Sequence, residues 1–259
     1  MPVFAANLSM LFNEVEFLDR FRLAAEAGFN GVEYLFPYPW SPEELKKALD
    51  DNGLTQVLFN LPPGDWDAGE RGIACLPDRV EEFRSGVEEA VRYAKALGCS
   101  QVNCLAGLCP SDLDEAEAWK TLIANVEYAA EKLAVEDITL CLEAINSRVD
   151  MPGFFLDTSS RVMQVIEALE ADNVKLQYDI YHMQIMEGDL IRTMECLLPW
   201  IAHVQIADNP GRHEPGTGEI NFPHIFEALD RMEYKGWVGA EYRPSGSTAD
   251  SLFWFRTKV

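Results

Sequence analysis

The sequence predicts an α/β chain folded as one (β/α)8 TIM barrel, and three observations carry that expectation. Its 259 residues are close to the roughly 250 typical of a single barrel of this kind. Short apolar runs alternate with amphipathic helical stretches along the whole chain, the pattern of repeated βα units. Eight such runs can be counted, which suits a closed barrel better than an open sheet. No low-complexity tract or linker interrupts them, so residues 1–259 are expected to form a single domain.

The expected strands are 3–8, 31–36, 55–61, 101–106, 138–144, 174–180, 202–207 and 237–242. Helix signals stand between them. Ser41-Pro42-Glu43-Glu44 places Ser at an N-cap, Pro at the first helical position and Glu three residues after the cap. Asn52-Gly53 ends that helix. Phe17 and Phe21 lie one turn apart on a first helix that stops at Gly28. Ala90, Ala94 and Leu97 mark one face of a longer helix that stops at Gly98. Two connections, 62–77 and 146–157, exceed the usual βα loop length. Both leave C-terminal strand ends, where barrels build their active sites, and both are expected to serve as lid or substrate loops. Trp66 and Phe12 are candidates to wall the pocket.

Apolar residues make up 48% of the chain, enough for a sizeable core, whereas Lys and Arg are outnumbered by Asp and Glu to a net charge of −22. That surface repels phosphate backbones and anionic headgroups, so nucleic acid and membrane are not expected as partners. An anionic substrate would need a local positive site. The N-terminus lacks a basic segment followed by an apolar one, and no apolar run approaches the ~20 residues of a membrane span. The six cysteines form no CxxC pair and read as reduced thiols of a cytoplasmic protein.

The chemistry is read from the last inward positions of the final four strands: Glu143, Asp179, Gln205 and Glu241. In a barrel these four ends surround one mouth. Three carboxylates gathered in a partly desolvated site repel one another, and a divalent cation removes that cost. With Gln205 offering its carbonyl the donors are all oxygen, favouring Mg²⁺, with Mn²⁺ as the other candidate, over a thiolate or imidazole zinc site. His182, just beyond the sixth strand, could hydrogen-bond a substrate oxygen. Arg212 could pair bidentately with a substrate carboxylate, and Arg71 is a second candidate for that role. His203, one layer below Gln205, is expected to brace the barrel interior, and His213 and His224 carry no signal.

The sequence resembles the hydroxypyruvate isomerase family of the xylose-isomerase-like TIM barrels, over almost the whole chain. The stretches that carry the resemblance are FAANLSMLF (4–12), NLPPGDWDAGERGIACLP (60–77), QYDIYHMQIMEG (177–188), QIADNPGRHEPGTGEIN (205–221) and GWVGAEY (236–242). The resemblance implies that Glu143 and Glu241 are the catalytic glutamates, holding the metal and handling protons. Asp179 and Gln205 would be the remaining ligands, and His182 and Arg212 would contact substrate oxygens. Gln205 stands where epimerase relatives generally have His, which fits a harder ion. The implied enzyme is an intramolecular oxidoreductase of glyoxylate metabolism. It would convert hydroxypyruvate to tartronate semialdehyde by proton transfer through a cis-enediolate, with room for a homo-oligomer. The nearest alternatives are a 2-oxo-tetronate isomerase and a ketose isomerase or epimerase. A DNA-repair nuclease of similar barrel shape would need several His ligands and a basic face; four His and a charge of −22 argue against it. A sugar-acid sensor would not need the two glutamates.

Overall fold

The computed structural model describes residues 2–256; Met1 and 257–259, the ends of the expected 1–259 domain, lie outside the described residues. The strands are β1 (Val3–Asn7), β2 (Gly31–Glu33), β3 (Thr55–Leu58), β4 (Gln101–Cys104), β5 (Thr139–Glu143), β6 (Val174–Asp179), β7 (Ile201–Ile206) and β8 (Trp237–Ala240). All are parallel, in the order β3-β2-β1-β8-β7-β6-β5-β4. Asn60 and Asn103 form a parallel bridge between the two ends of that order, and the sheet closes into the expected barrel.

Helices cover the strands: α1 (Phe17–Ala27), α2 (Pro42–Asn52), α3 (Val80–Leu97), α4 (Glu115–Ala134) and α5 (Ser159–Ala168) in the first half. They are followed by α6 (Ile180–Met186), α7 (Leu190–Leu197), α8 (Phe222–Arg231), α9 (Thr248–Ser251) and α10 (Phe253–Arg256). The local signals act as expected. Ser41 and Glu44 form a reciprocal capping box at the start of α2. Gly28, Gly53 and Gly98 close α1, α2 and α3 in the left-handed region that glycine adopts without a Cβ penalty.

The strands are shorter than the apolar runs suggest, most visibly β2, expected to reach residue 36. The Leu35 N–H is taken by the Ser9 hydroxyl at 2.8 Å instead of a strand partner. The β2 register against β3 also slips between Val32 and Glu33. Inside the barrel, Ala5 and Cys141 pack with Val57 and Leu58. Alternation puts Asn7 and Glu143 on the same inward side, two residues nearer the C-terminal mouth. The barrel is therefore apolar at its floor and polar above it.

Candidate active site

A cavity of about 420 Å³ opens at the C-terminal end of the barrel. The loops 62–77 and 146–157 reach it as expected, through Trp66 and Arg71 from the first and Asp150 and Met151 from the second. Phe12 does not. It is buried in the core, while Ser9, Met10 and Asn13 beside it line the pocket.

Glu143 is the last residue of β5 and Asp179 the last of β6; Gln205 faces Asp179 across the β6–β7 ladder, and Glu241 follows β8 directly. All four side chains are buried. Asp179 is held by a double role: as the N-cap of α6, its Oδ1 accepts from the His182 backbone N–H at 3.1 Å. Its Oδ2 is buried and without a hydrogen-bond partner. Glu143 Oε2 accepts from Asn103 Nδ2 at 3.1 Å, and Glu241 Oε1 accepts from Arg212 Nη2 at 3.3 Å.

Burial pushes every one of these carboxyls up. Glu143 stands well above the usual range because it is desolvated and faces Glu241 and Asp179. Burial lifts Glu241 to about 8 and Asp179 to about 6, the positive charge of Arg212 pulling against it in both. Arg212 is buried too, with its guanidinium 3.4 Å from Asp150 and its centre 5.1 Å from the Tyr181 ring centroid. Its loop is fixed by Asp208, whose carboxylate accepts four backbone N–H groups, those of Asn209, Gly216, Gly218 and Ile220.

His182 lies among these groups, its Nε2 3.7 Å from Asp179 Oδ2, 3.9 Å from Glu143 Oε1 and 3.4 Å from Arg212 Nη2. Glu143, Asp179 and His182 each bring a donor atom within 4.8 Å of the others, a grouping that could hold a metal ion. The other face of the ring argues for a different use of His182. Asn146 Oδ1 accepts from the N–H groups of Val149 and Asp150, both at 2.9 Å. Its Nδ2 is therefore the atom 2.7 Å from His182 Nδ1. The shorter contact decides the tautomer: Nδ1 accepts, and the hydrogen of the neutral ring sits on Nε2. Arg212 Nη2, itself only a donor, is then a neighbour of Nε2 and not its hydrogen-bond partner. Burial, and then Arg212, hold the imidazole well below its usual range, in the neutral form.

Arg71 lines the cavity, anchored by the carbonyls of Trp66 and Glu70 at 3.0 and 2.6 Å and stacked 4.1 Å from the Trp66 ring centroid. His203 is fully buried in the interior, as expected, with Nε2 2.6 Å from Glu33 Oε2. His213 and His224 stay away from the pocket lining. Sequence reasoning missed Glu33, Asn103, Asn146 and Gln177. Glu33 alone carried a usable signal, an acidic residue two after Gly31 on an inward strand position.

The architecture and the strand-end carboxylates define a sugar- or sugar-acid-isomerase type of barrel, and the comparisons agree. The chain belongs to the xylose isomerase-like TIM barrel family, whose model matches residues 21–258. It is 52% identical to the hydroxypyruvate isomerase of Escherichia coli K12, over 97% of both chains. It is 47% identical to a 2-oxo-tetronate isomerase of Cupriavidus necator, over 99% of this chain and 98% of that one. A crystal structure described as an AP endonuclease, family 2, from Brucella melitensis superposes with a TM-score of 0.97 at 48% identity, covering 100% of this chain and 99% of that one.

Proposed function

We propose that this protein is a hydroxypyruvate isomerase, interconverting hydroxypyruvate and tartronate semialdehyde. The observation that carries the reading is that Glu143, Gln205 and Glu241 line one pocket with the buried Arg212, while Asp179, 3.7 Å from His182, lies just behind its wall and groups with Glu143 and His182. Full-length likeness to a hydroxypyruvate isomerase supports it.

The unpartnered Asp179 Oδ2 and the mutually repelling carboxyls fit a divalent cation. Glu143, Asp179, Gln205 and Glu241 would hold it. When bound, Mg²⁺, or Mn²⁺ in its stead, supplies Lewis-acid polarisation of the substrate's ketone and hydroxyl oxygens. Arg212, with Arg71 at the rim, receives the substrate carboxylate in a chain that is otherwise strongly acidic. His182 donates from Nε2 to a substrate oxygen. One of Glu143 and Glu241 takes the C3 proton, giving the enediolate; a proton is returned to C2, and the C3 hydroxyl proton passes to the C2 oxygen, leaving an aldehyde at C3 and a hydroxyl at C2. Burial raises both carboxyls in the metal-free site; a bound cation would favour their ionised forms, leaving a carboxylate beside the substrate to accept the proton. Four cysteines, Cys75, Cys99, Cys104 and Cys141, are buried with their thiols pushed up, in keeping with a reducing cytoplasm.

The decisive assay sets hydroxypyruvate against 2-oxo-tetronate, with and without chelator. The expected result is chelator-sensitive turnover favouring hydroxypyruvate, and with the reaction run in D₂O, deuterium at C2 of the product. Preference for 2-oxo-tetronate moves the assignment one carbon up, to the activity named for the Cupriavidus relative. Early product free of solvent deuterium that keeps the substrate's own C3 label replaces proton transfer with a hydride shift. A nuclease reading finds no support in a site with one imidazole and a chain of net charge −22.

A further inference from the structure

We propose that Glu33 is a positioning residue that decides which end of the Gln205 amide faces the metal site; the inference rests on the cation reading given above. A glutamine serves such a site in one orientation only, because its carbonyl oxygen can ligate and its NH₂ group is an obligate donor. The sequence does not distinguish the two ends. The fold does.

Glu33 is fully buried at the end of β2, yet its carboxylate meets β7, with β1 and β8 in between. Its Oε1 accepts from Gln205 Nε2 at 2.8 Å and from Asn7 Nδ2 at 3.1 Å. Its Oε2 lies 2.6 Å from His203 Nε2. The Glu33 Oε1 that accepts from Asn7 Nδ2 also takes its second donor from residue 205, so the end of the Gln205 amide drawn to it is the NH₂. The carbonyl Oε1 is left turned toward β6, where Gln177 Nε2 donates to it at 2.6 Å. Its second lone pair remains for a ligand.

Gly239 gives the room for this reach. It faces Gln205 in the β7–β8 ladder, and a Cβ there would fall inside van der Waals contact of the Glu33 carboxylate. Its backbone lies outside the left-handed region, so what the glycine supplies is space. Glu33, Gly239 and Gln205 thus act as one device spanning β2, β8 and β7.

The test is Mn²⁺ titration of the metal-free full-length protein, read by electron paramagnetic resonance of free Mn²⁺, with folding checked by circular dichroism. Glu33→Gln frees the Gln205 amide to turn and is expected to weaken Mn²⁺ binding by about 10–100-fold, the usual loss when an outer-shell partner is removed. Gly239→Ala, which crowds the same carboxylate, is expected to weaken it also. The discriminating variant is the double exchange Glu33→Gln with Gln205→Glu. It puts an oxygen at both ends of residue 205 and an amide opposite to hold it, and should recover most of the lost affinity. Gln205→Glu alone completes the cycle, and in the presence of Glu33 it sets two carboxylates against each other and should not help. Equal effects of Gln205→Glu in both backgrounds overturn the proposal. A folded Glu33→Gln protein with unchanged Mn²⁺ affinity overturns it while leaving the cation reading intact. Should Glu33→Gln not fold alone, Gly239→Ala with unchanged affinity overturns it equally. A wild-type protein that takes up no Mn²⁺ removes the cation reading and this proposal together.

Discussion

At the residue scale, the candidate ligands were legible because they share one positional rule. Glu143 and Asp179 close their strands, Gln205 stands one residue before the end of β7 and Glu241 one residue after β8. The alternation that hides a residue in the wall therefore also aims it at the mouth. Glu33 obeys the same rule and escaped it because strand 31–36 looked longer than β2 is. Asn146 escaped because its contacts are those of a loop, which no periodicity announces. Arg212 was legible as a lone arginine near the mouth, but its partners were not: it is a non-glycine residue at φ 53°, wedged between Asp150 and Glu241. Arg212→Lys keeps the charge and loses the planar fork. A charge-assisted hydrogen bond contributes about 1.5–3 kcal/mol, so kcat/KM on hydroxypyruvate should fall on the order of 10- to 100-fold. Steady-state kinetics equal to wild type would reassign Arg212 to holding the loop.

At the element scale, helix caps and the long loops followed from composition, while strand ends did not. Strand length is set by which N–H groups find ladder partners, and side chains such as Ser9 divert them. The loop 62–77 shows how an irregular element is pinned. Gly72 sits at φ 102°, and a Cβ there would run into the backbone of Leu105, just beyond β4. The loop thus lies flat on its neighbour, with Arg71 and Trp66 turned toward the cavity. Gly72→Ala adds left-handed strain and a backbone clash, a cost of about 2 kcal/mol. For a chain of this size that is a Tm lower by about 4–8 °C. Calorimetry should show the drop, and KM should rise with it because Arg71 moves; a variant with unchanged Tm would mean the loop lifts away at no cost.

At the scale of the whole molecule, the acidic cluster links stability to pH. Glu241 is raised from 4.5 to about 8 and Asp179 from 3.8 to about 6. Without a cation the folded state therefore holds more protons than the unfolded one between these limits. The stability these groups contribute is complete below about 4 and is lost as pH rises through 8. Cation binding opposes that loss and releases protons. The Tm difference between Mg²⁺-loaded and metal-free protein should therefore widen steadily from pH 5 to pH 8, and a difference that stays constant across that range would remove the linkage. The barrel's closure carries a last consequence. Where β3 would meet β4, the wall is joined by the Asn60–Asn103 bridge, with the Asn103 N–H on Phe59 O and the Leu61 N–H on Asn103 O. The Asn103 side chain continues from that seam to Glu143. This join is where the cylinder should breathe, and its amides should exchange hydrogen with solvent sooner than those of the β5–β6–β7 wall. Because Asn103 ties the join to Glu143, occupancy of the site should slow that exchange without any change of shape.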